Sequence, residues 1–173
     1  SGATSASYDL TQNEVGKAIT VQVSYTDAGG TSESVVSSAS AAVANVNDAP
    51  TGNIAILGTV AEDEVLTADA SNLADADGLG SFAYQWKADG VVISGATSAS
   101  YDLSQSEVGK AITVEVSYTD AGGTSESVVS TASAIVTNTN NGPTGAVSIK
   151  GTLNDGSSLV ADTSSLADAD GLG

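Results

Sequence analysis

The sequence predicts an all-β protein built from antiparallel β-sandwich units that follow one another in a linear tandem array. Short runs with alternating apolar residues are separated by clusters of Gly, Asp, Asn and Ser at intervals of about ten residues, the spacing of such a sandwich. Residues 73–80 return unchanged as residues 166–173, so the repeat has a period of 93 residues. A repeat of this kind defines the structural unit before any local motif does.

Two joints that each contain a proline divide the repeats. They occupy residues 45–52 and 138–145 and are rich in Asn and Gly, a composition typical of linkers. The joints predict three parts of the chain. Residues 1–49 form the C-terminal half of one repeat, residues 50–142 form a complete repeat, and residues 143–173 form the N-terminal third of the next.

Within the complete repeat the apolar alternation predicts strands and no helix. The strands are expected at residues 53–57, 65–68, 82–87 and 91–93, at Tyr101 and Leu103, and at residues 110–118 and 126–136. In the third strand, Phe82, Tyr84 and Trp86 share one face because strand side chains alternate. Trp86 is the largest apolar side chain of the repeat and is therefore predicted to lie in its core.

The charge balance excludes several classes of function. The sequence has 21 acidic residues against four lysines, and its formal net charge is −17. Nucleic acid and anionic membrane surfaces both require basic clusters, so neither is an expected partner. A chain with this charge attracts cations. Because no run of about 20 apolar residues occurs, no insertion into a membrane is predicted for this segment.

The residue types also argue against catalysis. The sequence contains no His and no Cys, so general acid–base chemistry would depend on carboxylates alone. The lack of Cys excludes disulfides and thiolate zinc sites as well. The chain is therefore predicted not to be an enzyme.

A family resemblance rests on the Tyr84-Gln-Trp86 motif, the following Asp89-Gly90 turn and residues 107–114. In this order they resemble an immunoglobulin-like (Ig-like) domain. More narrowly, the chain resembles the Ig-like tandem repeats of giant bacterial surface adhesins, the RTX and biofilm-associated proteins of type I secretion, including their joint at residues 46–50. The resemblance implies an extracellular location at the bacterial cell surface, with neighbouring repeats of the same chain as partners.

The resemblance also implies where acidic side chains meet. It places the linker and two loops at one apex of the domain, facing a loop of the preceding repeat, a layout similar to the calcium joints of cadherins. Carboxylate oxygens are preferred ligands of Ca²⁺, and the lack of His and Cys disfavours zinc or copper. The predicted ligands at the first joint are Glu14, Asp48, Asp75, Asp77 and Asp120.

The second joint differs from the first by one charge. Its predicted ligands are Glu107, Asn141, Asp168 and Asp170, with Asn141 at the position of Asp48, which predicts weaker binding of calcium. The alternative is that Asp-Ala-Asp-Gly forms an ordinary turn, since Asp can accept hydrogen bonds from its own backbone. The acidic residues 62–64 are predicted to form a solvated turn.

These features together predict a structural extender repeat of a secreted adhesin. Calcium at the joints would stiffen the array, which would project a distal binding domain from the cell. Two alternatives stay open at this stage. The chain could be a glycan- or surface-binding Ig-like module, or it could self-associate through its strand edges into a matrix filament.

Overall fold

A computed structural model describes residues 3–173 and is an all-β structure. Over these residues the chain forms eleven strands and two short 3-10 turns. The strands are β1 (Gln22–Thr26), β2 (Ser32–Val36), β3 (Ala55–Leu57), β4 (Val65–Asp69), β5 (Ala83–Ala88), β6 (Val91–Val92), β7 (Ser100–Asp102), β8 (Ile112–Thr119), β9 (Ser125–Val129), β10 (Ser148–Gly151) and β11 (Leu159–Asp162). The turns are Gln12–Glu14 and Gln105–Glu107. The prediction of an all-β fold is confirmed.

The first of two compact units consists of the chain up to Gly52 with Leu73–Ser81 and Tyr118–Glu126. It contains the antiparallel hairpin β1–β2, whose residues are all exposed. Val23 of this hairpin is 58% exposed, whereas Val116, at the same position of the following repeat, is fully buried.

The second unit consists of Asn53–Asn72, Phe82–Ser117 and Ser127–Gly173. Its two larger sheets have the strand orders β3-β4-β7 and β6-β5-β8-β9, and β10 pairs with β11 in a separate hairpin. Every strand pair with a defined register is antiparallel, including the central pair of β5 and β8, where Trp86 lies opposite Val114.

Trp86 lies at the centre of the core of this unit. Its side chain is fully buried, and its ring lies 5.9 Å from the ring of Tyr101 on β7, so the two side chains link the two sheets. The indole Nε1 donates a hydrogen bond to the carbonyl of Ser98 at 2.9 Å. The other fully buried large side chains are Ile54, Leu66, Ile112, Val114, Val116 and Val136. Two antiparallel sheets joined in this way are consistent with a β-sandwich.

The last strand of the repeat is shorter than predicted, so the predicted length is wrong. β9 ends at Val129 instead of continuing to Val136, because two serine side chains replace backbone acceptors. Ser130 Oγ accepts from the amide of Val114 at 3.0 Å, and Ser133 Oγ accepts from the amide of Ile112 at 2.9 Å. Serine hydroxyls compete with the regular ladder in this way, so the chain stays beside β8 without forming a continuous strand.

The two 3-10 turns were not predicted. Each begins with a capping box, in which a Ser or Thr and a Glu three residues later satisfy each other's backbone amides. Within residues 3–173, none of the helical segments has the length and apolarity required to cross a membrane.

Candidate functional site

The first joint is anchored by its backbone. Thr51 and Ala74 form an antiparallel bridge, with N–H to carbonyl distances of 2.7 and 2.9 Å. The amide of Asp48 donates to Oδ2 of Asp77 at 2.7 Å. The structure therefore brings the linker against the loop of residues 73–80, and Asp48 contributes its backbone N–H to this contact.

Asp77 is the centre of this site and is buried at 5% exposure. Besides the contact with Asp48, its Oδ1 accepts from Nε2 of Gln12 at 2.8 Å, and the same Nε2 contacts Oδ1 of Asn45 at 3.2 Å. The Asp48 amide, with smaller contributions from the Asn45 and Gln12 side chains, lowers the pKa of the Asp77 carboxyl, whereas burial acts in the opposite direction. Gln12 comes from the first 3-10 turn and was not among the predicted site residues.

Asp75 also holds the loop of residues 73–80 in place. Its Oδ1 accepts from the amide of Asp77 at 2.8 Å, and its Oδ2 accepts from the hydroxyl of Tyr118 at 2.5 Å. Burial and the neighbouring Asp75 carboxylate raise the pKa of Tyr118, so its hydroxyl stays protonated and continues to donate.

Asp120 is the acid of this joint that, among the described residues, has a buried carboxylate oxygen without a hydrogen-bond partner. It is 5% exposed, and its Oδ1 accepts from the amide of Thr124 at 2.7 Å. Among residues 3–173 no hydrogen-bond donor reaches its buried Oδ2. The next residue, Ala121, donates its amide to the carbonyl of Asp77 at 3.2 Å, which holds the Asp120 turn against the loop. A buried carboxylate oxygen without a partner is costly unless a donor or cation reaches it.

Glu14 and Glu107 each form hydrogen bonds within their own 3-10 turn. Glu107 is 5% exposed, and its Oε2 accepts from the amide and hydroxyl of Ser104 at 3.0 and 2.7 Å. Glu14 makes the same two contacts with Thr11. These carboxylates shape the 3-10 turns, and the glutamines of those turns reach the joints. The Ser-x-x-Glu spacing is a known capping signal and could have predicted this role.

The second joint repeats the anchor of the first. Thr144 and Ala167 form the bridge at 2.7 and 3.0 Å, and the amide of Asn141 donates to Oδ2 of Asp170 at 2.7 Å. Asp168 Oδ1 accepts from the amide of Asp170 at 2.9 Å, as Asp75 does with Asp77. The linker-to-loop geometry therefore recurs after 93 residues of sequence.

Glu62 belongs to the second joint, and the prediction that it lies in a solvated turn is wrong. It is 3% exposed instead of solvated. Its carboxylate accepts from the amide of Thr139 at 3.2 Å and from Nδ2 of Asn141 at 2.9 Å. With its amide nitrogen facing the carboxylate, Gln105 donates to both oxygens at 2.8 and 2.9 Å. The linker is thereby attached to a buried carboxylate whose partners are distant in sequence.

The acidic side chains at the joints show which oxygens could bind calcium. Within the described part of the chain, no group of three or more acidic side chains is arranged to hold one metal ion. At the first joint, N–H donors occupy both oxygens of Asp77, and Asp120 Oδ2 is the buried oxygen without a partner. Oxygen-only ligands fit Ca²⁺. A Ca²⁺ ion at this joint would therefore bind to Asp120, and Asp75 and Asp77 could join it only by giving up their present hydrogen bonds.

As the pH falls, the contact between Asp48 and Asp77 is expected to weaken. The pKa of the Asp77 carboxyl is lower in the folded chain than its ordinary value of about 3.9. The hydrogen bonds of the ionised carboxylate therefore stabilise the fold fully above that pH, and this stabilisation is lost as the pH falls through the pKa of the folded chain. The measurement is the NMR shift of the Asp48 amide proton during an acid titration. Asp77→Asn should abolish this transition, whereas Asp155→Asn, at an exposed position, should leave it unchanged. A wild-type transition in Asp77→Asn would contradict the assignment.

Comparison with protein-family models, with curated proteins and with solved structures gives no match. The interpretation of the two joints therefore depends on their own contacts. What they share is a backbone bridge and an amide-to-aspartate hydrogen bond, at positions separated by one sequence period.

Proposed function

We propose that this chain is an extender segment of a secreted bacterial adhesin, composed of Ig-like tandem repeats that hold a distal binding domain away from the cell surface. The observation that carries the proposal is the repeated linker anchor. Asp48 with Asp77 and Asn141 with Asp170 make the same hydrogen bond at the same distance of 2.7 Å. A protein that must keep a constant spacing between units needs this kind of repeated, identical joint.

The anchor limits the conformations of the linker. A bridge with two backbone hydrogen bonds and a third bond to a charged acceptor fixes several residues that a free linker would leave mobile. Hydrogen bonds to charged groups contribute about 1.5–3 kcal/mol each. Such a joint favours a stiff array over a flexible string.

Calcium fits this proposal at the first joint. The buried Asp120 Oδ2 has no donor, and the net charge of −17 attracts cations. A Ca²⁺ ion bound to Asp120 would neutralise negative charge at this position, and Asp75 and Asp77 would become ligands only after exchanging their present hydrogen bonds. Asn141 at the second joint has an amide where Asp48 has a carboxylate, which favours weaker binding there.

Removal of calcium is expected to make the chain more flexible. Small-angle X-ray scattering with calcium and then with a chelator should give a broader distribution of distances after chelation. Asp120→Asn keeps the size of the side chain but removes the charge, so this variant should not respond to chelator. Circular dichroism of both samples checks that the sheets stay folded.

An unchanged distance distribution in the wild-type chain would contradict calcium stiffening. The same experiment at several concentrations also reports the molecular mass. A mass above that of one chain would favour the filament alternative.

A further inference from the structure

Asn141 stands in a sequence that is chemically unstable. It is the one asparagine followed by glycine in the sequence. Gly142 is exposed, and a Cβ atom built on it would meet no atom within 4 Å. Without a side chain, the backbone nitrogen of glycine can reach the side-chain carbonyl of the preceding asparagine with little steric hindrance. This position therefore permits a reaction that other asparagines of the chain disfavour.

The side chain of Asn141 also holds the second joint closed. Its Nδ2 donates to Oε1 of Glu62 at 2.9 Å and to the carbonyl of Thr139 at 3.2 Å. Glu62 is 3% exposed, and its other donors are the Thr139 amide and the Gln105 side chain. The Asn141 amide group is therefore one of the donors to a carboxylate that water hardly reaches.

We propose that Asn141 is a spontaneous deamidation site whose modification opens the second joint. The amide nitrogen of Gly142 loses its proton and attacks Cγ of Asn141, forming a carbon–nitrogen bond. The bond from Cγ to Nδ2 breaks, and ammonia leaves with the proton. Water then opens the resulting succinimide ring at one of its two carbonyls and gives aspartate or isoaspartate. Water is the only co-reactant.

The product cannot make the contacts of the original amide. A carboxylate at this position has no proton to donate to Glu62 and places a second negative charge beside a buried one. Like charges at such a separation repel strongly where water is excluded. The isoaspartate product also reroutes the main chain through the side chain. Either product releases the linker from Glu62, and neither returns to asparagine.

The closed joint slows its own modification. Two acceptors hold the Asn141 amide group in place, so the attack by Gly142 requires the linker to leave Glu62 first. The rate of deamidation therefore measures how often the joint opens. This inference is independent of calcium and of the adhesin proposal, because every participating group belongs to the second joint.

The test follows the full chain at mildly alkaline pH in the presence of chelator, with peptide mass spectrometry of samples taken over time. The Asn141 peptide should gain the mass of an amide-to-acid conversion and separate into two products. Gly142→Ala should slow the reaction by about tenfold or more, because a Cβ hinders the attack. Glu62→Ala should accelerate it by about tenfold, the factor that matches one hydrogen bond to a charged group.

Asn47, which is followed by Asp48, is the matched internal control in the same digest and should stay unmodified. An intact Asn141 over the same period, or a rate equal to that of Asn47, would overturn the proposal. So would a Glu62→Ala chain, folded by circular dichroism, whose Asn141 reacts at the wild-type rate.

A second measurement covers the case in which Glu62→Ala does not fold. Asn141→Asp reproduces one product directly, and Asn140→Asp makes the same change of charge at the neighbouring exposed residue. Hydrogen exchange of the Thr139 amide, which donates to Glu62, should be about tenfold faster in Asn141→Asp than in Asn140→Asp. Equal exchange in the two variants would show that the Asn141 amide does not hold the joint.

Discussion

Replacing Trp86 by alanine is expected to lower the free energy of unfolding by about 3–5 kcal/mol, the range measured for large aromatic residues in protein cores. The side chain is fully buried, it joins the two sheets through Tyr101, and its removal leaves the carbonyl of Ser98 without a donor. A domain of this size has a total stability of only about 5–15 kcal/mol, so the second unit should unfold at a much lower urea concentration than in the wild-type chain.

Urea denaturation followed by circular dichroism checks this expectation. Val91→Ala is the control, because Val91 lies on β6 beside β5 but is 70% exposed. Substitutions at such positions change stability by about 0.5 kcal/mol or less. A midpoint for Trp86→Ala equal to that of Val91→Ala would contradict the assignment of the core.

Gly80→Ala should destabilise the first joint by about 1–3 kcal/mol, the usual cost of an added group in a packed site. A Cβ atom at Gly80 would lie 2.0 Å from the carbonyl oxygen of Thr119, which is backbone and cannot rotate away. Gly142 is the control, because it is exposed and a Cβ there would meet no atom within 4 Å. Neither glycine has a positive φ, so the backbone accepts alanine at both positions.

Thermal unfolding of Gly80→Ala and Gly142→Ala measures the difference. Gly80→Ala should have a clearly lower midpoint, and Gly142→Ala should be close to the wild-type chain. If the two variants unfold at the same temperature, the close approach of the loop to Thr119 does not contribute to stability.

The parts of the fold that depend on local sequence could be predicted. β8 alternates between buried and half-buried side chains from Ile112 to Tyr118, as its apolar pattern requires. Trp86 lies in the core for the same reason, because one face of β5 turns inward. These features need only the period of a strand and the difference in hydrophobicity between neighbouring residues.

The end of β9 could not be predicted from the pattern of apolar residues. Ser130 and Ser133 end the regular ladder because their hydroxyls lie within reach of β8 amides. A serine in a sequence gives no sign of whether its hydroxyl will face water or a neighbouring strand, since that depends on register.

The polar contacts at the two joints could not be predicted from the sequence. The family resemblance implied that the linker lies near Asp77, but it did not indicate that the backbone amide of Asp48 donates to the Asp77 carboxylate. Glu62 was missed because its partner Thr139 lies 77 residues away, and no local pattern contains both. Long-range polar partners of this kind are fixed by the fold and not by spacing in the sequence.

The anchor of each linker is a main-chain amide, so every amino acid except proline can supply it. Asp48 and Asn141 use this freedom: one residue carries a charge, the other a reactive amide, and the hydrogen bond to the loop has the same length in both. In the tandem array that we propose, the joints can therefore keep the same hydrogen bond between linker and loop while their side chains differ from one joint to the next. Single side chains would then determine how each joint responds to cations and how long it stays chemically intact.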